Sequence, residues 1–176
     1  MAYLFIILGG VLLLLLFMLL RTLRISDLSY PQSASAEMVE VAEKNVSKHL
    51  SEAIQFKTIS RTVMGEADIT PFKDYHQWLE KTYSRTHAHL TKEVVNQLSL
   101  LYYWKGSNRQ LPPVLFASHL DVVPVDEATL SAWHVQPFAG EIKDGFVWGR
   151  GALDMKNHTV ALLEAAEILI TSGFQP

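Results

Sequence analysis

Pro112-Pro113-Val114-Leu115-Phe116-Ala117-Ser118-His119-Leu120-Asp121-Val122-Val123-Pro124 is the stretch from which the fold is read. Two prolines stop whatever precedes them, and the apolar run that follows reads as a buried strand. It ends abruptly at Ser118-His119, which puts an imidazole at a strand's carboxyl end, where open α/β sheets gather their ligands. Neutral imidazole is a good zinc ligand, and its free ring nitrogen needs an acceptor to fix tautomer and direction. Asp121, two residues on, lies on the same side of an extended chain and can be that acceptor. Taken alone the pairing is weak, because a capped strand end with no metal produces the same letters.

The next segment outward adds a second carboxylate. Asp144-Gly145 reads as a hairpin turn, Phe146-Val147-Trp148 as a short strand, and Gly149-Arg150-Gly151 as a tight bend. The apolar run from Val160 to Ile170 predicts a buried helix that stops at Gly173. Asp154 then sits at or just before that helix's amino end, where dipole and free N–H groups favour a carboxylate. An N-cap aspartate without metal is the competing reading of this segment.

The two segments together carry a resemblance. Ser118 to Pro124, then Trp133 and Pro137-Phe138, then Asp144-Gly145-Phe146-Val147-Trp148-Gly149-Arg150-Gly151-Ala152-Leu153-Asp154-Met155-Lys156, is similar to the M20 family of zinc peptidases and aminoacylases. Within it the chain most resembles the carboxypeptidase S-like branch, whose Ile-Gln-x-x-Thr-Ile-Ser segment matches Ile54 to Ser60. The resemblance runs from about Glu37 to Pro176. It implies that His119 is a zinc ligand, that Asp121 is the catalytic-site carboxylate orienting it, and that Asp154 bridges two zinc ions. It also implies a cis peptide just after the bridging residue, at Asp154-Met155.

The chemistry implied is amide hydrolysis by a metal-activated water, on a peptide or an N-acyl amino acid. Relatives carry more: a Glu-Glu pair supplying the general base and a ligand, a later acidic ligand, a distant histidine and an inserted smaller domain. The sequence ends at Phe174-Gln175-Pro176 before any of these. Residues 37–176 are therefore expected to be the amino-terminal part of the catalytic domain, incomplete, inactive by itself and weak in holding zinc. A homodimer is expected only where the smaller domain is present. Two other readings stay open: a membrane-tethered, non-catalytic module that binds a partner through an exposed sheet edge, and a related deacetylase or desuccinylase.

The remaining features bound the class. The 176 residues are 49% hydrophobic with a net charge of -3, which gives no electrostatic case for nucleic acid. There is no cysteine, so disulfides and thiolate metal sites are excluded. Residues 1–20 hold no charged side chain and run through Leu12 to Leu20, long enough for a single-pass membrane anchor. A cleavable signal peptide competes, but no Lys or Arg precedes the apolar run, and Ala34-Ser35-Ala36 lies far downstream. Arg21 and Arg24 favour a cytoplasmic remainder by the positive-inside rule, whereas many relatives work outside the cytoplasm; both orientations stay open. Residues 21–36 read as a linker.

From Glu37, the residues Val39, Ala42, Val46, Leu50, Ala53 and Ile54 give an amphipathic helix, with His49 on its solvated side. Asn45-Val46-Ser47 matches a glycosylation sequon and reads as chance inside that helix. Thr70-Pro71 opens a second helix whose stripe of Phe72, Tyr75, Trp78, Leu79 and Tyr83 is core. His76, His87 and His89 have no carboxylate at ligand-like spacing and are assigned no chemistry. Leu90 to Val95 and Leu98 to Trp104 read as strands about an Asn96-Gln97 turn. With the Val114 and Phe146 strands they predict an α/β fold, a mixed sheet with helices on both faces, preceded by the transmembrane helix. Between the two motifs, the loop from Val125 to Gly140 is a candidate substrate wall. His134 there is a possible further ligand, and His158, one turn past Asp154, a possible neighbour of the site.

Overall fold

A computed structural model describes residues 2–25, 40–61 and 68–176. It divides into a unit of Met1–Glu40 and a unit of Val41–Pro176. The first unit is helix α1, Ala2–Ile25. Within its span Ala2–Arg24 an 18-residue stretch has a mean hydropathy of 2.9 and is 0% buried, so by length and composition the helix can cross a membrane, although a signal sequence passes the same test. Arg21 and Arg24 belong to this helix rather than to a linker. Residues 26–36 of the expected linker, with Ala34-Ser35-Ala36, lie outside the described residues, as do Glu37 and Val39 of the expected first helix.

The second unit combines helices with small antiparallel sheets: α2 (Glu43–Gln55), α3 (Thr70–Thr82), α4 (Ser84–His89), β1 (Thr91–Val95), β2 (Ser99–Tyr103), β3 (Glu141–Lys143), β4 (Phe146–Trp148) and α5 (Lys156–Thr171). The apolar stripes found in the sequence are what pack. Ala53 of α2, Tyr75 and Leu79 of α3, Tyr83, and Val160 and Leu163 of α5 form one cluster. Val46, Leu50, Phe56, Trp78, Leu100 and Leu120 are packed against it. Pro71 occupies the first turn of α3, where its missing N–H costs nothing. The aromatic residues stack within the core, Phe56 on Tyr75 at 5.2 Å and Tyr75 on Trp78 at 5.7 Å between ring centroids. They form no exposed platform.

The hairpins follow their turn chemistry. Asn96 and Gln97 both take positive φ (48° and 69°), as do Asp144 (53°) and Gly145 (80°), the pattern of a tight two-residue turn. In β1–β2, Thr91 pairs with Tyr103 and Val95 with Ser99; in β3–β4, Glu141 pairs with Trp148.

Among the described residues the single mixed sheet is not formed. The described residues hold two separate two-stranded antiparallel sheets, and Val114 to Ala117 joins neither. Val114, Leu115 and Phe116 are 77%, 81% and 70% exposed. An apolar run becomes a buried strand only when other strands and covering side chains reach it, and among the described residues none does. Five residues further the chain is tied down: Val122 forms a parallel bridge with Ile59. Val122 N donates to Thr58 O at 2.8 Å, Ser60 N to Val122 O at 3.2 Å, and Thr58 Oγ1 to Leu120 O at 2.7 Å. Thr58 is fully buried, so the Ile54 to Ser60 segment is the wall against which residues 120–122 are registered.

Candidate metal centre

His119 and Asp154, 35 positions apart, meet. His119 Nε2 lies 2.9 Å from Asp154 Oδ1, while Nδ1 lies 3.0 Å from the backbone oxygen of Asp121 and 3.2 Å from its carboxylate. Each ring nitrogen thus faces a different oxygen. With Nδ1–H donated to Asp121, Nε2 is the nitrogen turned towards Asp154, and an electrophile can take the place of the proton between them.

Ser118 and Thr159 brace the histidine from behind. Their hydroxyls are 2.7 Å apart, and Thr159 Oγ1 donates to His119 O at 3.4 Å. Burial pulls the imidazole's pKa down, but the Asp154 and Asp121 hydrogen bonds and charges outweigh it and leave His119 above its ordinary value. The site is open to solvent: the His119, Asp121 and Asp154 side chains are 43%, 40% and 87% exposed.

Asp154 is delivered by a loop folded from Gly149 to Met155. Arg150 N donates to Pro137 O at 2.6 Å and Lys156 N to Gly151 O at 2.9 Å. Gly149 and Gly151 both have positive φ (148° and 88°). A Cβ at Gly149 would meet Ile54 Cγ2 at 2.5 Å and Pro137 O at 2.9 Å, so the bend needs glycine both for conformation and for room. The Asp154-Met155 peptide is cis.

A zinc ion with tetrahedral bonds of about 2.0–2.1 Å holds its ligands about 3.3 Å apart. The imidazole nitrogen and carboxylate oxygen at 2.9 Å therefore fit such an ion in kind and nearly in spacing. They fall short in number, since no group of three or more His, Asp or Glu side chains converges among the described residues.

The other histidines are placed elsewhere. His134 lies edge-on to Trp148, 6.1 Å between ring centroids. His158 is exposed, and its recorded hydrogen bonds are made by its backbone N–H, at 2.8 Å to Asn157 Oδ1 and 3.1 Å to Met155 O. His76 bonds Leu98 O at 3.1 Å and His87 bonds Tyr102 Oη at 2.9 Å. His49 is only partly solvated, its side chain 23% exposed: its Nδ1 is 2.5 Å from Glu164 Oε1, to which Tyr83 Oη also donates at 3.1 Å. The polar side of α2 faces a carboxylate of α5, which helical periodicity within α2 cannot reveal. The loop after Val125 packs around Trp133, with the Arg150 guanidinium 5.2 Å from its ring centre. Trp133, Trp148 and Leu153 help line an adjoining apolar cleft of about 350 Å³.

One further residue had no role assigned by the sequence. Lys156 is completely buried, its Nζ donating to Ala53 O at 2.7 Å and Phe56 O at 2.6 Å, and burial pushes its pKa down to about 7. The available signal was a cation in the first turn of a helix, where the dipole disfavours it.

Residues 115–176 match the sequence profile of peptidase family M20/M25/M40. The chain is 39% identical over 156 residues to carboxypeptidase S of Saccharomyces cerevisiae, covering 84% of this chain and 27% of that protein. It is 31% identical over 147 residues to an N-fatty-acyl-amino acid synthase/hydrolase of Xenopus tropicalis, covering 82% and 28% respectively. The chain belongs to the M20 peptidase family. Within that family it falls on the carboxypeptidase S-like branch, and it spans about a quarter of the length of these relatives.

Proposed function

We propose that this chain is the amino-terminal part of the catalytic domain of a membrane-anchored, zinc-dependent amide hydrolase. The substrate would be a peptide or an N-acyl amino acid. The supporting observation is the His119–Asp154 contact at 2.9 Å, with Asp121 on the opposite ring nitrogen. His119 Nε2 and Asp154 would hold metal, Asp154 bridging a pair of ions, and Asp121 would keep the imidazole in the tautomer that exposes Nε2. When bound, a dinuclear zinc site supplies a water of pKa near about 7 and polarises the scissile carbonyl.

Two donors do not hold a zinc ion firmly against water, and hydrolysis also needs a proton acceptor beside the attacking oxygen. The 176-residue chain alone should therefore bind zinc weakly and turn over no substrate. The test is hydrolysis of N-acyl amino acids by the longer polypeptide carrying this segment: chelation and Asp154→Asn should each bring the rate to background. Undiminished turnover in Asp154→Asn would refute the assignment.

The exposed Val114, Leu115 and Phe116 favour a second reading, a tethered module that binds a partner strand without catalysis. Metal content of the longer polypeptide separates the two, since such a module needs none.

A further inference from the structure

We propose that Lys156 is a positioning residue for the Asp154 carboxylate: its buried side chain ties the metal-facing loop to the end of α2 and thereby fixes where Asp154 meets His119. The argument begins with what does not hold Asp154. Its side chain is 87% exposed, and its one recorded partner among the described residues is His119 itself. A carboxylate so exposed takes its place from the backbone that carries it.

That backbone is anchored two residues later. As the first residue of α5, Lys156 would place a cation at the positive end of a helix dipole, which is unfavourable. Its stem instead carries Nζ to the carboxyl end of α2, where the dipole has the opposite sign. There Nζ donates to Ala53 O at 2.7 Å and to O of the C-cap residue Phe56 at 2.6 Å, joining the Phe56 and Thr58 N–H groups that bond the same two carbonyls at 3.3 Å and 2.9 Å, and it lies 4.7 Å from the Tyr75 ring centre.

The loop is folded over this stem. Lys156 N donates to Gly151 O at 2.9 Å. A Cβ at Gly151 would come within 3.4 Å of Lys156 Cδ and 2.8 Å of Val122 Cγ1, and Val122 is the residue registered against Thr58 beside Asp121. One side chain thus joins the Asp154 loop to the α2–Thr58 wall that also sets the His119–Asp121 segment.

The test uses the full chain in detergent micelles with two readouts: without metal, the imidazole 15N shift of His119 that reports the hydrogen bond to Asp154, and, resting on the zinc reading above, affinity for Zn2+. Lys156→Met should abolish the hydrogen-bond signature and weaken zinc binding by about 10–100-fold, the effect usual for residues that orient a metal ligand. Leu79→Ala, a core truncation on α3, should lower the melting temperature while leaving both readouts intact. Lys156→Gln, which keeps a donor for one carbonyl, is the substitute should Lys156→Met not fold, and an intermediate loss is expected.

The proposal is overturned if Lys156→Met retains both readouts, if Leu79→Ala loses them equally, or if both Lys156 variants fail to fold where Leu79→Ala folds. A wild-type chain with the His119–Asp154 signature but no affinity for zinc would defeat the metal reading and leave this one to be decided by the first readout.

Discussion

At the scale of single residues, the His119–Asp121 contact was legible because an aspartate two residues after the histidine gives the ring an acceptor, whereas the strand expected to end at His119 is not among the described elements. His49 was not legible, because its partner Glu164 lies 115 positions away on another helix. Glu164 accepts from both His49 and Tyr83, so Glu164→Ala strands two partly buried donors. It should destabilise the unit by about 1–3 kcal/mol, read as a shift in denaturant midpoint at unchanged slope.

His76 gives a pH test. Burial is the main cause that lowers its pKa, so the folded state prefers it neutral while the unfolded chain binds the proton near pH 6.5. Its contribution to stability is present above that value and is lost as pH falls towards the folded pKa. His76→Gln should flatten this part of the stability profile below about pH 6.5. An unchanged slope would assign the dependence to other groups.

At the scale of elements, turns and amphipathic stripes were readable and strand pairing was not. Asn96-Gln97 and Asp144-Gly145 mark their hairpins because positive φ selects few residue types. The 112–117 run announces only that it is apolar; whether it becomes a strand depends on partners no local pattern specifies. Glycines in the loop region separate conformation from space. Gly140 has φ +62° and a Cβ there would collide with Ser51 O, whereas Gly145 has φ +80° with nothing within 4 Å. Gly140→Ala should therefore cost more than about 2 kcal/mol and Gly145→Ala only about 1. Equal losses in chemical denaturation would show that the approach of β3 to α2 is not tight.

At the scale of the whole molecule, the leucine-rich start was legible by length alone. A helix of 24 residues rises about 36 Å, against about 30 Å of hydrocarbon. The chain should stay with membranes through alkaline extraction and retain residues 1–25, and deletion of 2–24 should release it; a mature amino terminus beyond residue 25 would instead mean a cleaved signal. What the sequence withheld at this scale is the rest of a ligand set, because the described residues bring only two metal donors together. The central claim is that His119 and Asp154 share a metal centre. Its most direct measurement is zinc content of the longer polypeptide by elemental analysis: His119→Ala should lose one equivalent while His134→Ala keeps the full complement. Equal loss from both, or no loss from His119→Ala, would contradict it.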